Sequence, residues 1–69
     1  MHKRITLKHI YTVRFYWLGY PTEVGVRYVL AESEEEAEEK FGRYNDRMMR
    51  SGMRPMVFLD ANEREQVIV

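Results

Sequence analysis

The chain has 69 residues, eleven Lys/Arg against eleven Asp/Glu, and no cysteine. That length makes one domain, residues 1–69. A domain so small buries only about 60% of its unfolded surface, so it is marginal in stability unless it oligomerises. The missing cysteines exclude disulfides and zinc–thiolate centres, the balanced charge argues against a dedicated nucleic-acid binder, and no apolar run approaches the roughly 20 residues that span a bilayer.

Charge is balanced in sum but not along the chain. Residues 1–30 carry Lys3, Arg4, Lys8, Arg14 and Arg27 against Glu23 alone, whereas residues 31–69 carry six bases against ten acids. The first half therefore holds the only basic surface. No apolar segment follows Met1-His2-Lys3-Arg4. A signal peptide is thus not expected, and a cytoplasmic protein is.

Residues 5–17 alternate. Ile5, Leu7, His9, Tyr11, Val13, Phe15 and Trp17 share one parity; Thr6, Lys8, Ile10, Thr12, Arg14 and Tyr16 share the other. This predicts a long first strand with one apolar face. Thirteen residues span about 43 Å, so this strand must coil, bulge or overhang whatever covers it. Leu18-Gly19-Tyr20-Pro21-Thr22 reads as a loop, punctuated by Gly19 and Pro21.

Residues 23–32 read as a second, antiparallel strand. Val24, Val26, Tyr28 and Leu30 lie on one parity and Gly25, Arg27, Val29 and Ala31 on the other, so both faces hold apolar groups. The short link from Ala31 to the next element favours Val29 and Ala31 beneath a helix, with Val26, Tyr28 and Leu30 turned outward.

The helix is predicted over residues 34–50, about 25 Å long. Ser33 supplies the N-cap and Glu36 the fourth position of an S-x-x-E capping box. Acids gather in the first turns and Arg43, Arg47 and Arg50 near the end, as the helix dipole favours. Glu36 with Lys40 and Glu39 with Arg43 are favourable i,i+4 pairs. Ala37, Phe41, Tyr44 and Met48 form one apolar stripe. Gly52 is placed to close the helix in the left-handed conformation. Met56–Leu59 then reads as a third strand, Asp60-Ala61-Asn62-Glu63 as a type I turn, and residues 64–69 as a fourth strand. The expected fold class is α+β, in the order β-β-α-β-β, with one helix on one face of an antiparallel sheet.

Chemistry has little to stand on. The two serines, Ser33 and Ser51, sit at helix ends, and no nucleophile motif surrounds either. His2 and His9 form no ligand pair with metal-site spacing, and the four glycines match no phosphate-binding loop. The run Glu34–Glu39 reads as a solvated helix start rather than a cation site. The chain is therefore expected to be no enzyme and to need no cofactor or metal. Met48, Met49, Met53 and Met56 could form an adaptable lip, with Met48 and Met56 more readily explained as core.

The apolar tally is more telling. One helix covers one face of a sheet, which leaves Ile10, Tyr16, Tyr28, Leu30 and one parity of residues 56–59 uncovered. Uncovered apolar patches mark partner surfaces. The expected binding residues are Arg14, Tyr16, Trp17, Tyr20, Arg27 and Tyr28, and the expected activity is protein–protein contact, with self-association as a homodimer the simplest case. The alternative is a single-stranded nucleic-acid-binding sheet, with Lys8, Arg14 and Arg27 tracking phosphates beside Tyr16 and Tyr28.

The string Tyr28-Val29-Leu30-Ala31-Glu32-Ser33-Glu34-Glu35-Glu36-Ala37, preceded by Tyr11-Thr12-Val13-Arg14-Phe15, resembles a pattern in small accessory proteins of phages and conjugative elements. In those a hairpin strand ends in alanine, a capped acidic helix follows, and a short strand returns. The resemblance covers about residues 10–45 and carries no functional residues; the hairpin expected over residues 56–69 departs from the shortest versions. It implies an accessory role, binding host or element machinery.

Overall fold

The computed structural model describes residues 8–64. Within them the order is β1 (His9–Trp17), β2 (Tyr20–Ala31), α1 (Glu34–Arg50) and β3 (Met56–Glu63). The sheet is antiparallel in the order β2-β1-β3, with α1 across one face. This is the expected α+β class.

Local rules account for the helix. The Ser33 hydroxyl accepts from the Glu36 amide at 3.1 Å. The reciprocal half of the capping box is replaced: the Glu36 carboxylate lies 3.1 Å from Lys40 instead. Lys40 holds that carboxyl below its ordinary range, the Glu32 backbone and Lys8 act in the same direction, and partial desolvation opposes them. At the other end Gly52 takes φ +90°. Its amide donates to Met49 O, and the Met53 amide to Met48 O, each at 3.0 Å. This is the paired closure that a left-handed residue after a helix permits.

Strand parity fixes the core. Tyr11, Val13 and Phe15 of β1 are buried with Ala31 of β2, Ala37 and Phe41 of α1, and Met56 and Ala61 of β3; Trp17, Val29, Tyr44, Met48 and Phe58 pack around them. Phe15 stacks at 5.4 Å from Phe41 and edge-on at 5.5 Å from Trp17. The tip of its ring also lies against Gly25, its partner across the sheet. A Cβ at Gly25 would stand 2.6 Å from the ring edge, so the ring occupies the space that any other side chain would need.

The pairing of β1 is irregular on both sides. On the β2 side Tyr16 faces Val24 but Trp17 faces Tyr20, so residues 21–23 of β2 are extra in the register although the strand runs on through them. On the β3 side Arg14 faces Asp60 but Phe15 faces Phe58, so Leu59 is the extra residue. Bulges of this kind bend a strand and increase its twist.

Two expectations are corrected. The loop predicted over residues 18–22 is a two-residue turn, Leu18-Gly19, with Gly19 at φ +95°; Pro21 sits within β2, which an edge strand tolerates. The turn predicted at Asp60–Glu63 does not form, because β3 runs through to Glu63 paired with β1. The residues expected as a fourth strand after Arg64, and residues 5–7 of the expected first strand, lie outside those described.

Asn45 joins the helix to the start of β3. Its Nδ2 donates to Met56 O at 2.9 Å and its Oδ1 accepts from the Met56 amide at 3.0 Å. The turn between β1 and β2 is tied to the same region, with the Leu18 amide donating to Pro55 O at 2.9 Å and Arg54 Nη1 to Leu18 O at 3.3 Å.

Candidate functional site

Among the described residues, no element covers the other face of the sheet. Because directly paired residues in an antiparallel sheet project to the same side, the register arranges that face in transverse rows. Leu30 lies beside Ile10. Tyr28 lies beside Thr12 and Asn62, Val26 beside Arg14 and Asp60, and Val24 beside Tyr16 and Val57. The orientation expected for β2 holds: Val29 and Ala31 lie beneath the helix, and the even-numbered residues point away from it.

The apolar side chains form a stripe rather than a scatter. Val24, Val26, Tyr28 and Leu30 run the length of β2, with Ile10 beside them. Tyr28 is 64% exposed, Leu30 53% and Ile10 45%. The polar groups lie toward β3. Arg14 Nε donates to both Asp60 oxygens, at 2.9 and 3.1 Å, and Arg14 Nη2 completes a bidentate ion pair. Those hydrogen bonds and the Arg14 charge hold the Asp60 carboxyl below its ordinary range, and the same bonds with the Asp60 charge raise the Arg14 guanidinium. The Arg64 guanidinium lies 5.2 Å from the centre of the Tyr28 ring, a cation–π contact.

Among the described residues β2 is an edge strand, and that edge is blunted. Ile10 O accepts from the Arg64 amide at 2.8 Å, so Ile10 turns its backbone groups toward β3. In an antiparallel ladder that leaves Leu30 and its even-numbered neighbours in β2 with their backbone groups directed out of the sheet. Two of those carbonyls are covered by cations: Leu30 O accepts from Lys40 Nζ at 2.6 Å and Val26 O from Arg27 Nη1 at 3.0 Å. Charged side chains across an edge are a common guard against strand addition.

The six expected binding residues are therefore not one cluster. Arg14, Tyr16 and Tyr28 share the open face. Trp17 and Arg27 are on the helix side, with Trp17 against Phe15 and the Arg27 guanidinium 5.3 Å from the Phe15 ring centre. The expectation of Arg27 beside Tyr28 on one surface is thereby corrected, since adjacent strand residues point to opposite faces. Tyr20 lies at the turn, under the Arg54 guanidinium at 4.9 Å. With Trp17, Glu23, Met53 and Arg54 it lines a shallow cleft of about 250 Å³, below the usual range for a small-molecule site. Leu30, Val26 and Val24 complete the stripe. Leu30 and Val26 were legible as outward apolar residues and Val24 as sharing their parity, but their continuity depends on an unbroken register from Leu30 to Val24.

Among the described residues no group of three His, Asp or Glu side chains converges as a metal site would require. His9 Nδ1 pairs with Glu63 at 2.9 Å. Among the same residues no helix is long and apolar enough to cross a membrane. No protein-family model matches the chain, and neither a curated protein nor a solved structure matches it.

Proposed function

We propose that the protein is a non-enzymatic binding module whose open sheet face docks another protein surface, acting in the cytoplasm. The observation that carries this is the apolar stripe Val24, Val26, Tyr28, Leu30 and Ile10, exposed on a sheet whose other face is closed by α1. A continuous patch of this kind costs solubility unless something covers it. The accessory role implied by the strand-to-helix resemblance fits a module of this design.

The nucleic-acid reading draws less support. Arg14, its central cation, is neutralised by Asp60, and Arg27 lies on the helix side. Among the described residues, Arg64 beside Tyr28 is the cation that lies against an exposed ring on the open face, and one or two such contacts give weak, strongly salt-dependent binding.

The test is capture of partners from a lysate on immobilised protein, with and without nuclease, comparing the parent chain with Tyr28→Glu. Capture that survives nuclease and is lost in Tyr28→Glu, at unchanged melting temperature, is the expected result. Capture unaffected by the substitution, or abolished by nuclease, would overturn the reading.

A further inference from the structure

Granting that the open face docks protein, its occupant follows from how the apolar groups are laid out. We infer that the face is covered by a second copy of this chain, the two sheets packed face to face about a two-fold axis that crosses the strands between Val26 and Tyr28.

The layout restricts the symmetry. The apolar stripe lies along β2, on one side of the face, and the polar residues Asp60 and Asn62 lie along β3, on the other. A two-fold axis parallel to the strands and centred on β1 would interchange the sides and set the stripe against Asp60 and Asn62, and one running along β2 would overlap only that strand and leave the β1 and β3 rows uncovered. An axis across the strands keeps each strand over its own copy. Placed between Val26 and Tyr28, it sets Val24 over Leu30 of the second copy, Val26 over Tyr28, Ile10 over Tyr16, and Asp60 over Asn62. In these rows apolar meets apolar and polar meets polar, while Val57 at the end of the Tyr16 row falls opposite Arg64. Arg14 then faces Thr12 rather than a second Arg14, and its charge stays matched by Asp60 in its own chain.

Area and charge agree with this occupant. The exposed fractions of Ile10, Val24, Val26, Tyr28 and Leu30 amount to roughly 500 Å² per copy. A stable interface buries about 800 Å² per partner, and in homodimers about 65% of it is apolar, which is close to the area this stripe provides. Arg14 and Asp60 cancel and Arg64 is held over the Tyr28 ring of its own chain, so the face is not strongly charged. It therefore attracts neither a strongly acidic nor a strongly basic partner, and it suits a copy of itself. The alternative route to a dimer, pairing of the two β2 edges, is opposed by Lys40 and Arg27 on the Leu30 and Val26 carbonyls. Side chains, rather than backbone ladders, make the contact.

The experiment is light scattering on the full chain and on two charged variants, alone and mixed. At about 100 µM, where an interface of this size associates, the parent chain is expected at twice its 8.4 kDa mass. Leu30→Lys and Val24→Glu, each at an exposed site, are each expected at the monomer mass. Mixed in equal amounts they are expected to return to the dimer mass, because each mixed dimer places the new cation opposite the new anion and keeps one Val24–Leu30 contact. Circular dichroism reports whether each variant is folded. If one is not, the parent chain decides alone: a monomer mass at about 1 mM overturns the inference. So does a dimer mass retained by both variants, which would locate the contact elsewhere, and so does a mixture that stays monomeric, which would refute this two-fold arrangement. A monomeric parent chain leaves the wider docking role standing, since that rests on capture lost in Tyr28→Glu.

Discussion

Asn45→Ala is the most informative single change. The Asn45 amide makes two hydrogen bonds to the backbone of Met56, at 2.9 and 3.0 Å, and Met56 is itself 4% exposed. A net contribution of about 0.5–1.5 kcal/mol per bond gives about 2 kcal/mol for the pair. Alanine is the better helix former and returns up to about 0.7 kcal/mol. The net loss is then about 1.5 kcal/mol, a substantial share of the roughly 3–10 kcal/mol expected for 69 residues. At about 4–8 °C per kcal/mol in a domain of this size, the melting temperature should fall by roughly 6–12 °C. Asn45→Asp keeps an acceptor for the Met56 amide but sets a carboxylate oxygen against the Met56 carbonyl, so it should be at least as damaging despite its near-identical shape. The assay is thermal and urea unfolding at fixed protein concentration, with an unchanged urea slope expected. A drop below about 2 °C in both variants would mean that the helix is held to β3 by apolar packing alone.

Gly25→Ala should destabilise by about 1–3 kcal/mol through overpacking against the Phe15 ring. Combined with Phe15→Leu it should cost less than the two changes summed, which a double-mutant cycle measures. Ser33→Ala should cost about 1 kcal/mol by freeing the Glu36 amide, read as a lower melting temperature. The Asp60 carboxyl titrates below its ordinary 3.8 when folded. Its contribution is therefore fully present above that value and is lost as the pH falls through the folded one. Asp60→Asn should flatten the acid side of the stability profile below about pH 4, and an unchanged profile would show that the Arg14 pair does not stabilise the fold.

The elements legible in the sequence were those set by neighbours in the chain. Ser33, the acidic first turn, the Ala37–Phe41–Tyr44–Met48 stripe and Gly52 are local signals, and the helix they predict is the helix observed. Alternation marked β1 and β2 for the same reason, and the short link after Ala31 was enough to turn Val29 inward and Tyr28 outward. Asp60-Ala61-Asn62-Glu63 has turn composition, yet it is strand. Pairing with β1 and the ion pair from Arg14 decide its geometry, and their partner lies 46 residues away. The Asn45 clamp has no local signature at all, because it depends on where the start of β3 arrives beside the helix. Arg27 was recognised as an exposed base but was grouped with Tyr28, although strand alternation separates them. Short-range periodicity and capping are properties of the sequence itself. Register, bulges and the continuity of the apolar stripe depend on which strands meet, and only the packed structure decides that.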